Sequence, residues 1–344
     1  MKRPHLRDLF ARAADLAGIS WFPAPVEDVA VVTRAGGTRG AVPPPHDPRT
    51  PLTVTSWNLQ FAGGRRHFFY DGGPDVRVPP DEVDETLRAL VDTAFAEGVP
   101  SLLLLQELDR GSDRTGRVDE LVPFLTRMSA CASTPYHRAR FVPVPATTPL
   151  GRVELHMATL GSVPFTRARR MALPLLNEPA WRRAFNLKRC LLEVEVPLAD
   201  GRVLMVGNTH LSAFSRGDGT LPRQVDVLAR WMAEQREAGR PFVLAGDLNL
   251  LPPGDDPRRL PDPQNYADDG ALVQRLLVDA RSAVPSEVWL APAWRTYQPF
   301  GSVPDRVLDY LFVSPEIDVE DVRVLATQAS DHLPLTARLR IRAA

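Results

Sequence analysis

Cysteine is nearly missing from this chain, with only Cys131 and Cys190 among 344 residues. A disulfide framework and a cysteine-rich zinc site are thereby excluded, at most one bridge is left, and two buried free thiols are the expectation. Long apolar runs are missing too. No stretch approaches the roughly 20 uninterrupted apolar residues that cross a bilayer, so no membrane span is expected. The opening residues, Met1 to Ser20, are basic, but Arg7, Asp8, Arg12 and Asp15 interrupt any apolar core of a signal peptide. They read as a short amphipathic helix, and cytoplasmic localisation is the expectation. The third absence is an excess of charge of one sign. Forty-one Lys and Arg stand against 42 Asp and Glu, a formal net charge of -1, without the basic surplus of a protein that coats nucleic acid. With 44% hydrophobic and 24% charged residues, the composition is that of a folded globular protein.

Two regions follow from the pattern. Residues 1–50 read as the N-terminal helix and a Gly/Pro-rich linker, "TRAGGTRGAVPPPHDPRTP", which cannot hold a long helix or a central strand. From residue 51 to 344 short apolar strands alternate with amphipathic helices, as one catalytic-sized domain. "LTVTSWN" is β-branched and strand-like. The segment 79–98 places Val83, Leu87, Leu90, Val91, Ala94 and Phe95 on one helical stripe and stops at Gly98. "SLLLLQE" reads as a buried strand, and "CLLEVEVPLADGRVLMVGNTHL" as two strands around an Asp-Gly turn. A second amphipathic helix over 221–239 precedes the strand "FVLAGD", and "LDYLFVS", Val322–Val324 and "LTARLRI" close the chain as further strands. Hairpins mixed with helical crossovers predict mixed sheets covered by helices.

Each apolar strand runs into a polar residue of a particular kind. The ends carry Asn58, Glu107, His210, and Asp247 with Asn249, while Ser330-Asp331-His332 stands before the last strand. Strand ends that converge at one rim are where a rigid scaffold holds binding and catalytic groups. Carboxylates and amides without thiolates favour a hard cation, Mg²⁺ with Mn²⁺ as the alternative, over zinc. Together with two histidines they suit hydrolysis of a phosphate ester, which needs the phosphoryl charge neutralised and a water oriented and deprotonated.

Six blocks in order, "SWNLQ", "LLLLQELD", "GNTHLS", "AGDLNL", "RVLDYLFVS" and "SDHLPL", resemble the endonuclease/exonuclease/phosphatase superfamily, which shares the fold of pancreatic-type deoxyribonuclease. The resemblance implies a four-layered α/β/β/α sandwich, two mixed β-sheets face to face with helices outside, and a site at one end. It implies Glu107 as principal Mg²⁺ ligand, with Asn58 beside it and Asp331 completing or ordering the metal shell. Asp247 and Asn249 correspond to the pair that orients the nucleophilic water, and His210 to a donor to a phosphate oxygen. His332 corresponds to the general base or a phosphate-polarising imidazolium, held by Asp309. The implied activity is a Mg²⁺-dependent phosphodiesterase with direct attack of water on phosphorus. A nuclease, a phosphomonoesterase on a small metabolite or phosphoinositide, and a non-catalytic binding scaffold are the alternatives. The partner is then a phosphate ester, nucleic acid among the candidates.

Two departures bear on substrate. The strand "LHMATLGS" has Met157 where the superfamily often has Asn, and Arg306 stands one residue farther from Asp309 than in the commoner arrangement. "TRARRM" and "WRRAFNLKR" gather Arg167, Arg169, Arg170, Arg182, Arg183, Lys188 and Arg189, a run able to hold a polyanion. Arg170 from this run and Arg114, just past Glu107, are the expected phosphate contacts.

Overall fold

The computed structural model describes residues 23–33, 43–67, 76–142, 149–213, 217–266 and 270–343. The helix expected before residue 22 lies outside the described residues. Among the described residues, fourteen strands form two seven-stranded sheets. The first sheet runs β1 (Val26–Asp28), β7 (Arg167–Ala172), β8 (Cys190–Pro197), β9 (Val203–His210), β10 (Phe242–Asp247), β12 (Asp309–Val313) and β11 (Arg281–Ser282). The second runs β13 (Ile317–Val324), β14 (Leu335–Ile341), β3 (Leu52–Asn58), β4 (Leu102–Asp109), β6 (Gly151–Gly161), β5 (Ala130–Val142) and β2 (Val31–Thr33).

Each sheet is mixed because one central pair in each is parallel, β9 with β10 and β3 with β4. Parallel neighbours need a crossover connection rather than a hairpin. The two long amphipathic segments supply it: α1 (Pro80–Ala94) between β3 and β4, and α4 (Thr220–Glu237) between β9 and β10. Shorter helices are α2 (Leu121–Leu125), α3 (Ala180–Phe185) and α5 (Gly270–Leu276). Helix α1 buries Val83, Leu87, Leu90, Val91 and Ala94, the stripe its spacing predicts, and α4 buries Leu221, Val225, Leu228, Trp231 and Met232. The result is the four-layered sandwich, with a main apolar core between and around the sheets and a small second cluster of Leu251, Leu260, Tyr266 and Leu308. Cys131 and Cys190 are buried free thiols.

One expectation changes. Residues 26–33 are not linker: β1 pairs antiparallel with β7 in the first sheet and β2 with β5 in the second. Edge backbone that would otherwise meet only water finds partners there, and valines at 26, 31 and 32 suit an extended conformation. The two sheets are also tied through a buried amide. Asn208 Nδ2 on β9 donates to the carbonyls of Leu105 (3.2 Å) and Ala158 (3.0 Å), and its Oδ1 accepts from Gln106 Nε2 at 2.8 Å. That network lies one residue before Glu107 and two before His210, so the carboxyl ends of β4 and β9 are held together.

Candidate active site

Strand register aligns three functional side chains. On adjacent strands of the first sheet, Asp247 of β10 is paired with His210 of β9 and with Asp309 of β12. Gly246 makes this approach possible: at φ 149°, a Cβ there would lie 1.8 Å from the Thr209 carbonyl oxygen. Glycine before the aspartate is thus a steric requirement. In the second sheet, Asn58 ends β3 and Glu107 sits in a bulge where the β4–β6 register shifts between Leu105 and Leu108. Six non-glycine residues among those described have positive φ, and four of them, Gln60, Phe61, Glu107 and Asn249, line one cavity. Backbone strain gathered at one place is characteristic of functional sites.

The cavity has a volume of about 790 Å³. Asn58, Glu107, His210, Asp247, Asn249, Asp331 and His332 all line it, and Asp309 stands behind His332. Asp247 is the hub. Its Oδ2 accepts from Asn58 Nδ2 at 3.1 Å and lies 3.2 Å from His210 Nε2 and 3.5 Å from His332 Nε2. Its Oδ1 accepts from the Asn249 amide at 2.9 Å. His332 Nδ1 is 2.7 Å from Asp309 Oδ2, and the Asp309 amide donates to Thr296 Oγ1 at 3.1 Å. The turn carrying His332 is pinned from several sides. Trp57 Nε1 donates to the His332 carbonyl (2.8 Å), Gln298 N to the Asp331 carbonyl (2.7 Å) and Ser330 Oγ to the Asn58 carbonyl (2.8 Å).

Burial and neighbours set the charges. Burial raises the Asp247 carboxyl to about 6, and raises Asp331 to about 7 with further repulsion from Glu107 and Asp247. Burial also holds His210 well below its ordinary value, helped by the nearby Arg189 and His332 charges. Burial pushes His332 the same way, but Asp309, Asp247 and Asp331 outweigh it and raise the ring well above the ordinary value. His210 Nδ1 is buried without a hydrogen-bond partner, 3.8 Å from Glu107 Oε1. The shorter contact to Asp247 assigns the His210 proton to Nε2, so a lone pair faces a carboxylate. That clash, with Asp331 crowded by two other carboxylates, fits a divalent cation on oxygen ligands among Glu107, Asp331 and Asn58. Among the described residues, the group of potential ligands whose donor atoms lie within 4.8 Å of one another is a different one, Asp247, Asp309 and His332. There the imidazole is held protonated by two carboxylates, and a protonated nitrogen has no lone pair for a metal.

Both expected phosphate contacts are corrected. Arg114 is 1% exposed; its Nε and Nη2 donate to Asp109 at 2.7 and 2.9 Å, and its guanidinium stacks 3.5 Å from the Phe61 ring centroid. It braces the strand that carries Glu107. Arg170 is fully buried because strand alternation turns it inward with Ala168, and Nη2 donates to the Lys188 carbonyl at 2.7 Å. Arg167 and Arg169 pair with Asp28 and Glu193. From the same basic run, Arg182 and Arg189 line the cavity instead. Arg189 is 6% exposed, its Nη1 is buried without a partner, and its guanidinium lies 5.3 Å from the Tyr136 ring centroid. Its only signal in the sequence is its place directly before β8, whose partner β9 ends at His210. Met157 is a buried strand residue touching Cys190, while Leu155 of the same strand reaches the cavity.

Two mixed sheets with a carboxylate–imidazole cavity at the ends of their central strands define the fold of a class of phosphoric ester hydrolases. The sequence matches the Endonuclease/Exonuclease/phosphatase family over residues 55–332, and the chain belongs to that family. UPF0294 proteins of Yersinia pseudotuberculosis and Yersinia pestis are each 33% identical over 151 residues, 44% of this chain and 48% of theirs. The chain thus spans about half the length of the curated relatives it matches. In structure it resembles an endonuclease/exonuclease/phosphatase from Beutenbergia cavernae (TM-score 0.57, 24% identity, 86% of this chain and 73% of that one). It also resembles the human Nocturnin catalytic domain with bound sulfate anion (TM-score 0.55, 17% identity, 91% and 97%). No helix among the described residues is long and apolar enough to cross a membrane.

Proposed function

We propose that the protein is a Mg²⁺-dependent phosphodiesterase that hydrolyses its ester by direct attack of water on phosphorus. The observation that carries this reading is a pair of buried imidazoles on one carboxylate, Asp247, of which His332 alone is backed by a second carboxylate, Asp309. Glu107, Asp331 and Asn58 would hold the cation. Once bound, the metal supplies positive charge against the phosphoryl oxygens and the leaving oxygen.

The protein's own residues account for the other parts. Asp247, oriented by Asn58 and the Asn249 amide, accepts the proton of the attacking water. Its carboxyl at about 6 is ionised at neutral pH yet basic enough to take that proton. As the water oxygen bonds to phosphorus, the bond from phosphorus to the leaving oxygen breaks. His332, kept charged by Asp309, serves as the polarising imidazolium rather than the base. Neutral His210, whose Nε2–H faces Asp247 in the free site, turns that N–H from the carboxylate to a phosphoryl oxygen, and the partnerless Nη1 of Arg189 meets another. A binding scaffold has no use for such opposed charge states.

The test is chelator-sensitive, Mg²⁺-dependent release of nitrophenol from bis-p-nitrophenyl phosphate by the purified protein, with Asp247→Ala as the contamination control. The expected result is activity in the wild type alone. Equal rates in the variant, or with excess chelator, would overturn the assignment.

A further inference from the structure

The Asp309–His332 contact joins the two sheets. Asp309 opens β12 of the first sheet, whereas His332 stands in the turn that leads into β14 of the second. The 2.7 Å between Oδ2 and Nδ1 is therefore only as fixed as these two carriers are to one another. Thr296 to Gln298 bond to both, and Tyr297 bridges Arg306 on one side and His332 on the other. Toward β12, Thr296 N and Tyr297 N donate to the Arg306 carbonyl at 2.9 and 3.0 Å. The Arg306 guanidinium is itself held 5.1 Å from the ring centroids of Tyr266 and Tyr297. Toward the turn, Leu333 N donates to the Thr296 carbonyl at 2.7 Å, and Gln298 Nε2 to the Ser330 carbonyl at 2.9 Å.

One side chain of this segment grips the strand that carries the carboxylate. Thr296 is 1% exposed, and its Oγ1 accepts from the amides of both Leu308 and Asp309 at 3.1 Å. Buried backbone N–H groups need an acceptor, and a hydroxyl oxygen has two lone pairs to offer. Thr296 directs both to the place where β12 begins. The Asp309 carboxylate has little else to hold it. Oδ2 meets His332, while Oδ1 is buried with no hydrogen-bond partner, and Asp309 and Thr296 both line an internal cavity of about 10 Å³. A carboxylate with slack behind it keeps its aim through its backbone, and that backbone is fastened to Thr296 Oγ1.

We propose that Thr296 is a positioning residue for the Asp309–His332 pair: its hydroxyl fixes where Asp309 stands, and its carbonyl fixes the turn that carries His332. The proposal rests on the phosphodiesterase reading, in which a displaced imidazole no longer faces the phosphoryl group. The test uses bis-p-nitrophenyl phosphate at saturating Mg²⁺, at a temperature where thermal unfolding shows each variant folded. Thr296→Val keeps the shape and removes the acceptor. Its kcat should fall about 10- to 100-fold, the scale of a misplacement of about 1 Å, with KM within about twofold of wild type. Thr296→Ser, which keeps the hydroxyl, should recover most of the lost kcat. In an Asp309→Asn background Thr296→Val should cost almost nothing further, because residues that act as a unit are not additive. Wild-type kcat in Thr296→Val, no recovery with serine, or an equal loss in both backgrounds would overturn the positioning role and leave the hydrolytic reading standing. Should the valine variant not fold, Thr296→Cys, whose sulfur is a weak acceptor, enters the same cycle with a smaller loss expected. No turnover by the wild type would overturn the hydrolytic reading and the positioning role with it.

Discussion

His210, at the end of β9, and His332, in the turn before β14, are 2% and 4% exposed. They lie 3.2 and 3.5 Å from the same oxygen of Asp247. Desolvation presses both toward the neutral form, so burial cannot explain why they diverge. The second nitrogen does. Nδ1 of His332 meets Asp309 at 2.7 Å, whereas Nδ1 of His210 has no hydrogen-bond partner and Arg189 stands nearby. Two residues of one type in one cavity thus acquire different chemistry from a single contact each.

The sharpest way to break the comparison is Asp309→Asn, which keeps the shape and removes the charge behind His332. The His332 ring should fall toward the behaviour of His210, and turnover of the diester should drop by about 10²–10⁴-fold, the usual share of a positioned proton-bearing group. Steady-state kinetics and an NMR titration of His332 check it; wild-type turnover in the variant would remove the pair from the mechanism. Next in size is Glu107→Gln. Calorimetry should show Mg²⁺ affinity falling by more than the roughly 10–100-fold typical of losing an outer-shell partner, with the thermal transition of the chelated protein unchanged. Unaltered affinity would move the metal site elsewhere.

Acidity sharpens the contrast without mutation. Asp247 and Asp331 titrate in the fold at about 6 and about 7 against 3.8 ordinarily, and His332 is raised likewise. The fold binds more protons than the unfolded chain there: the contribution of the two carboxyls is complete below about 4 and is lost as pH rises through 6 and 7, while that of His332 is complete below its ordinary 6.5 and is lost at higher pH. His210 runs the other way, its contribution lost as pH falls below its ordinary 6.5. The melting temperature of chelated protein should therefore fall between pH 5 and pH 8, by the equivalent of about a few kcal/mol, and saturating Mg²⁺ should flatten the fall. A flat profile with chelator would contradict these charge states. The smallest effect on catalysis is expected from Arg114→Met. Breaking its buried pair with Asp109 should cost about 3–5 kcal/mol of stability in denaturant unfolding, with little change in kcat at temperatures where the variant is folded.

The strand-end residues were readable because register is coded locally. Apolar runs of strand length fix where β3, β9 and β10 stop, at Asn58, His210 and Asp247, whereas β4 continues past Glu107 to Asp109 through a bulge that the sequence does not show. The crossover helices were readable from the stripe of α1 and the matching pattern of α4. Arginine was read less well. Seven cations within 23 residues look alike in sequence, and only strand alternation and the turn after α3 decide that Arg170 faces inward while Arg189 reaches the cavity. Arg114 misled because closeness to Glu107 in sequence says nothing about Asp109 claiming its guanidinium. The Tyr266–Arg306–Tyr297 stack joins two separate loops, one before α5 and one between β11 and β12, and leaves no local trace.

The short strands at 26–33 give the sandwich a protection that its catalytic strands cannot. Without them β7 and the thirteen-residue β5 would become the outermost strands on that side, each with a row of open backbone groups able to recruit another chain. As folded, β1 covers Arg169–Met171 of β7 and β2 covers Ala130–Ala132 of β5, each with a strand too short to template a neighbour. A fragment begun at residue 51 would keep the reacting residues intact and still be prone to aggregate.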